Sequence, residues 1–190
     1  MILTCDRIGS RLSIIRIKGY AVFVIEKLAT NSVGREQMIR AVADIEVIVQ
    51  PQDTWTDKTL ISLLEQDSID LLVVYDQDKH MTSINEAVTD NKVIGYCLYQ
   101  VVFEQAEILR IGTHPDYQRQ GIASQLFDRL NNELKRCEVE SLLLEVRADN
   151  IPAIALYEQQ DFTVIHTRTG YYQLPDQPAV DALIMQRIYI

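Results

Sequence analysis

No apolar run in this 190-residue sequence approaches the roughly 18 residues that a helix needs to cross a bilayer, so no membrane-spanning helix is expected. Cysteine is scarce. Cys5, Cys97 and Cys137 form no C-x-x-C pair, and the scattered His80, His114 and His166 add no metal-ligand spacing. A metal centre and a disulfide framework are therefore not expected, and free thiols in a reducing compartment are. The N-terminal apolar patch is broken by Asp6, Arg7, Arg11, Arg16 and Lys18, which is not the layout of a signal peptide, so the chain reads as cytoplasmic. Positive charge is also short: 18 Lys and Arg face 27 Asp and Glu, for a net charge of −9. That argues against a general nucleic-acid binder, which needs a basic face to displace counterions. It suits a cationic acceptor, such as an amine or a basic peptide, drawn in by the long-range field. Neither an internal repeat nor a low-complexity tract occurs.

What is present fits a folded α/β chain. Hydrophobic residues at 47% and charged residues at 24% exclude wholesale disorder, and the length suits one domain with a full core. Residues 1–19 alternate basic and apolar side chains and read either as an edge strand or as a loose extension; 20–190 read as the single domain. Strands are expected at 21–27, 69–75, 92–103, 106–113, 141–147, about 162–167 and 182–187. Helices are expected at 34–44, from Thr56 or Asp57, from Gly121 onward, and at about 151–160. The polar stretch 76–91 reads as a long hairpin connection. The order β-α-α-β-β-β-α-β-α-β-β predicts a mixed, mostly antiparallel sheet with helices on both faces.

The most informative stretch is Gln118-Arg119-Gln120-Gly121-Ile122-Ala123. It follows an expected strand and opens the best amphipathic helix, in which Ile122, Leu126, Phe127, Leu130 and Leu134 recur at helical spacing. Asp128, Arg129, Asn131, Asn132 and Lys135 lie on its other faces. A glycine at such a junction allows a tight turn and leaves no side chain over the first amides. Those amides lack intrahelical partners at the positive end of the helix dipole, which makes an anion site. A plain turn is the simpler reading of one glycine; a pyrophosphate cradle reinforced by Arg119 is the functional one. Neither the Walker loop nor the dinucleotide fingerprint fits the spacing.

Two further residues invite chemistry. In Ser141-Leu142-Leu143-Leu144-Glu145-Val146-Arg147 apolar side chains fall on both faces, as in an interior strand, so Glu145 must be paired or used. The alternatives are an ion pair with Arg147 or a neighbouring strand, and a general base whose burial without a partner would raise its pKa toward neutrality. Beyond it, Asp149 or Asn150 can cap a helix that carries Tyr157 two turns on. Tyr157 reads either as a core tyrosine or as a phenol able to protonate a thiolate leaving group.

The spacing Gln/Arg-x-x-Gly-x-Gly/Ala resembles the signature of the GNAT N-acetyltransferases. Residues 106–187 resemble the branch of that family acting on the N-terminal alanine of a small-subunit ribosomal protein, through Ile111–Gly121, Leu144–Asn150 and Ala153–Glu158, with Gly170-Tyr171-Tyr172 and Asp181–Met185 further on. The resemblance is faint over 36–75, where it rests mainly on Trp55, and absent before about residue 20. It implies an acetyl-CoA-dependent enzyme. Carried over by position, Glu145 is the proton acceptor and Tyr157 the proton donor, and Ile111, Gly112 and Thr113 supply the strand that pairs with pantetheine. Arg119, Gln120, Gly121, Ile122, Ala123 and Ser124 form the pyrophosphate loop, and Asn150 contacts the cofactor. The implied partners are acetyl-CoA and a protein N-terminus, with no nucleic acid, membrane or metal.

Two departures stand out: Gly112 replaces the usual Ala, expected to be a mild change, and Asp161 replaces the usual Gly, where Asp tolerates a left-handed turn. The 76–91 stretch and the N-terminal extension are additions that bear on peptide specificity. Two other functions fit the same residues, a GNAT acting on a small amine and a CoA-binding module without turnover.

Overall fold

A computed structural model describes residues 13–16, 22–32, 34–76, 92–173 and 177–189. Among these residues eight strands form one sheet in the order β1-β2-β3-β4-β5-β6-β8-β7. They are β1 (Ser13–Arg16), β2 (Val22–Lys27), β3 (Ile69–Asp76), β4 (Lys92–Val102), β5 (Gln105–Thr113), β6 (Ser141–Arg147), β7 (Thr163–Tyr172) and β8 (Val180–Ile188). Every neighbouring pair is antiparallel except β5 and β6, whose parallel pairing requires the crossover made by helix α3 (Ile122–Arg136). The remaining helices are α1 (Arg35–Val49), α2 (Asp57–Leu63) and α4 (Ile151–Gln159).

The expected order of elements holds, with β1 added. Ser13–Arg16 pairs with β2, the edge-strand alternative for that stretch. Residues 1–12 and 17–21, and the connection expected at 76–91 beyond Asp76, lie outside the described residues. Thr56 caps α2 by accepting from the Thr59 amide, and β7 runs on to absorb the double tyrosine.

Alternation along the strands builds two cores. On one face Leu72, Val74, Ile94, Cys97 and Tyr99 meet α3, with Tyr157 and Phe162 beside them. On the other, Leu71, Val73, Tyr96 and Leu98 meet Ile39, Val42, Ile45 and Leu60 of α1 and α2. The five apolar positions expected in α3 are all buried. Arg129 and Asn131, expected on its outer faces, are buried as well; Arg129 pairs with Glu133 at 2.7 Å, and Asn131 accepts from the Tyr189 hydroxyl at 2.5 Å. Cys97 is a buried free thiol; Cys5 lies outside the described residues. Among the described residues no helix is long and apolar enough to cross a membrane.

Candidate active site

The site begins where the sheet comes apart. The β5–β6 pairing runs from Gln105–Ser141 to Ile108–Leu144 and stops. Leu109 is an extra residue against β4, since Leu98 pairs with Arg110 and Tyr99 with Ile108. A bulge bends and twists its strand, and here it coincides with the end of the parallel pairing. Beyond it, the edge of β5 through Thr113 and the edge of β6 from Glu145 onward no longer bond to each other. An open strand edge is a row of unsatisfied donors and acceptors for an extended ligand.

One end of this cleft is closed by the loop into α3. Thr113 leads through a single 3₁₀ turn at Pro115–Tyr117 to Gly121, the N-cap of α3, with φ 80°. Arg119 is also left-handed, at φ 59°. No side chain caps α3 and no acid lies in its first turn, so the amides of Ile122, Ala123 and Ser124 keep the character of an anion site. Among the described residues a Cβ on Gly121 would meet nothing within 4 Å. The Ile122 side chain itself is core, which leaves its amide for a ligand. Gln118 and Gln120 brace the loop, donating to the carbonyls of Thr113 at 3.2 Å and Asp116 at 3.3 Å. Gly95 sets the spacing, because a Cβ there would lie 3.3 Å from Ile122 Cγ2 and 3.2 Å from the Gly112 oxygen.

Glu145 is the first β6 residue past the last β5 pair. Its side chain is 23% exposed and paired with Arg168 at 2.8 Å. Its other oxygen accepts from the Tyr172 hydroxyl at 3.1 Å. The premise of an unpartnered buried carboxylate therefore fails. The partner is not Arg147, which pairs with Asp149 at 2.7 Å, nor a residue on an adjacent strand, but Arg168 of β7 across β8. Two donors leave part of the carboxylate's accepting capacity for a water or an amine. Burial first, and then the Glu145 charge, push the Tyr172 phenol up to about 12, so it stays a donor at neutral pH.

Tyr157 lies on the α3 side of the sheet, 8% exposed. Its ring packs edge-on to Phe127 at 5.9 Å and against Phe162 at 6.0 Å. Burial holds its phenol well above the ordinary range. Asn150 caps α4 from an exposed position, accepting from the Ala153 amide at 3.3 Å, so its side-chain NH2 remains free of that bond. Asp161 takes φ 62° after α4, as its ability to turn left-handed allows.

The α1–α2 face holds a network that the sequence did not announce. Glu46 is fully buried in α1, where the Tyr96 hydroxyl donates to Oε1 and the Trp55 amide to Oε2 at 3.2 Å. Arg110 reaches from β5 toward it, Nε to Oε2 at 3.8 Å, lies 4.4 Å from the Trp55 ring centroid and pairs with Asp53. Glu46 falls beyond Asp44, where the helix was expected to end. The available signal was its i+4 spacing from Val42 and i+7 from Ile39, on the buried face.

An acetyltransferase (GNAT) family model matches residues 42–162. The chain belongs to the GNAT family. Like its fellow members it is an acetyl-CoA-dependent N-acetyltransferase. The [ribosomal protein bS18]-alanine N-acetyltransferase of Escherichia coli K12 is 42% identical over 103 residues, 54% of this chain and 69% of that one. A crystal structure of the E. coli ribosomal-protein-S18-alanine N-acetyltransferase superposes with TM-score 0.68 at 31% identity, over 86% of this chain and 92% of that one. Arabidopsis thaliana NAA60 in complex with acetyl-CoA shares the fold at TM-score 0.68 and 17% identity, over 87% and 98% of the two chains. Among the described residues the cleft combines a helix N-terminus that no side chain caps with a strand edge leading to it that has no strand partner.

Proposed function

We propose that this GNAT acetylates the N-terminal α-amine of a protein, with the alanine N-terminus of ribosomal protein bS18 as the acceptor to test first. The observation that carries the reading is the position of Glu145, the first residue of β6 beyond the β5 pairing, with a carboxylate that Arg168 and Tyr172 hold in one orientation. The similarity to the bS18-alanine N-acetyltransferase of E. coli and the excess of acidic residues support a basic protein terminus as acceptor.

In this reading the amides of Arg119, Gln120, Gly121, Ile122, Ala123 and Ser124, with the Arg119 charge, hold the pyrophosphate. The open edge of Ile111, Gly112 and Thr113 pairs with the pantetheine arm, and one of its N–H groups polarises the thioester carbonyl. The Asn150 side-chain amide adds a cofactor contact. Glu145 accepts a proton from the acceptor ammonium, directly or through a water, because an α-ammonium with pKa near 8 has no lone pair to attack with. The amine forms the new N–C bond as the C–S bond breaks, Tyr157 gives its proton to the departing thiolate, and the second proton shed by the nitrogen as it becomes an amide passes through solvent to restore the phenol. Burial weakens the phenol as an acid, but the same desolvation raises the pKa of a thiol at that place, which keeps the pair matched.

The test is thiol release from acetyl-CoA with an Ala-initiated basic peptide, followed by mass spectrometry of the product. One acetyl group on the α-amine is the expected result. Acetylation of polyamines or amino acids but not of peptides would transfer the reading to a small-amine enzyme. CoA binding without thiol release toward any amine would leave a binding module.

A further inference from the structure

Gly112 is a glycine because Tyr96 occupies the place of its side chain. The two residues face each other in the β4–β5 pairing. A Cβ on Gly112 would stand 2.7 Å from Tyr96 Cε1, 2.8 Å from its hydroxyl oxygen and 2.9 Å from Cζ, inside the roughly 3.5–4.0 Å of ordinary carbon contacts. The expectation that Gly112 is a mild replacement of the family's Ala is therefore corrected. The ring cannot simply swing aside, since Tyr96 is fully buried and its hydroxyl is bonded to Glu46. Glu46 is in turn held by the Trp55 amide and faced by Arg110. Burying a carboxylate under a sheet costs free energy that an apolar residue would not. What this one supplies is a single orientation of the Tyr96 ring.

The place fixed in this way matters for the reaction. Gly112 is the centre of Ile111–Thr113, on the stretch of β5 that lacks β6 pairing. One edge of that stretch is held by β4, and the other has no strand partner among the described residues. On the α1–α2 face Tyr96 packs directly against the Gly112 backbone, two residues from Arg110, which is tied to Asp53 and faces Glu46. A donor that polarises a thioester acts over about 2.7–3.1 Å, and a displacement of about 1 Å costs on the order of a hundredfold in rate.

We propose that Tyr96, oriented by the buried Glu46, is a positioning residue for acetyl transfer that fixes the β5 backbone at Gly112. The proposal rests on the reading that Ile111–Thr113 receive the thioester. It concerns a residue that touches neither substrate, so its mark is a loss of turnover without loss of cofactor affinity.

The test is steady-state kinetics of the full chain with acetyl-CoA and the acceptor peptide, below the melting temperature of every variant. Tyr96→Phe keeps the ring and removes the bond to Glu46; kcat is expected to fall about tenfold while KM for acetyl-CoA stays within about twofold. Gly112→Ala is expected to lower kcat about a hundredfold in the native background and less than about threefold when introduced into Tyr96→Leu, where the ring is gone. A residue that only stabilises the fold would lower Tm in Tyr96→Phe and leave kcat of the folded enzyme alone. Native kcat in Tyr96→Phe, or an equal loss from Gly112→Ala in both backgrounds, overturns the proposal. If Gly112→Ala does not fold, Tyr96→Phe decides. Turnover by the unaltered chain is the control: its absence sinks the underlying reading, whereas native turnover with unaffected variants sinks the positioning role alone.

Discussion

The hydroxyl of Tyr172 reaches Glu145 at 3.1 Å across an intervening strand. Arg168, four residues earlier on the same strand, takes the other carboxylate oxygen at 2.8 Å. Glu145 is thereby oriented from β7, although its own strand neighbour at that position is Ile184 of β8.

That arrangement separates proton transfer from orientation. Glu145→Gln is expected to lower kcat by roughly 10²–10⁴-fold with the CoA dissociation constant within about twofold. Tyr172→Phe, which keeps the base and removes one of its two donors, is expected to cost about tenfold, near 1.4 kcal/mol. Calorimetric CoA titration beside initial rates decides; a native rate in Glu145→Gln removes that residue from the mechanism.

Tyr157 gives a prediction in pH. An acid must be protonated to act, and burial raises this phenol above its ordinary value near 10. Its deprotonation therefore cannot limit the rate below about pH 10. The rate should rise as the acceptor amine deprotonates and then stay level up to that point. An alkaline decline well below pH 10, with the enzyme still folded by circular dichroism, would count against Tyr157 as the acid.

The same residue distinguishes chemistry from packing. Tyr157→Phe retains the ring against Phe127 and Phe162, so Tm should move little while kcat falls roughly 10²–10⁴-fold. Tyr157→Ala should instead cost about 3–5 kcal/mol of stability, as for a large aromatic removed from a core. Denaturant unfolding of both variants checks the pair.

Gly121 separates strain from blockade. Its φ of 80°, with nothing near the Cβ position among the described residues, means that Ala strains the backbone, by about 1–2 kcal/mol, and clashes with none of them. Gly121→Ala should bind CoA more weakly but measurably, and Gly121→Glu not at all. Retained CoA affinity in Gly121→Glu would overturn the cradle.

Glu46 predicts a stability profile. Desolvation raises its pKa above the ordinary 4.5, against the opposing effects of the Trp55 amide and Arg110. The folded state thus holds the Glu46 proton more tightly than the unfolded chain does. Its contribution is present below about pH 4.5 and lost as pH rises through the folded value. The stability of Glu46→Gln minus that of the native chain should therefore increase from pH 4 toward 7 in denaturant titrations. A constant difference would mean that the carboxylate is not desolvated in the folded state.

Sequence by itself determined the elements and the loop chemistry. The 3.6-residue recurrence of Ile122, Leu126, Leu130 and Leu134, the glycine before it and the apolar run around Glu145 report local rules of backbone and burial, which operate within a few residues. They placed Gly121, Glu145 and Tyr157 on a loop, a strand and a helix. Tertiary structure alone decided the partners. Arg168 and Tyr172 are 23 and 27 residues from Glu145, and Tyr96 is 50 residues from Glu46. Sheet order and register bring such pairs together, and no periodicity within one segment encodes them. Only the register could show that Gly112 lies under a tyrosine ring, because the space a side chain would fill belongs to the neighbouring strand.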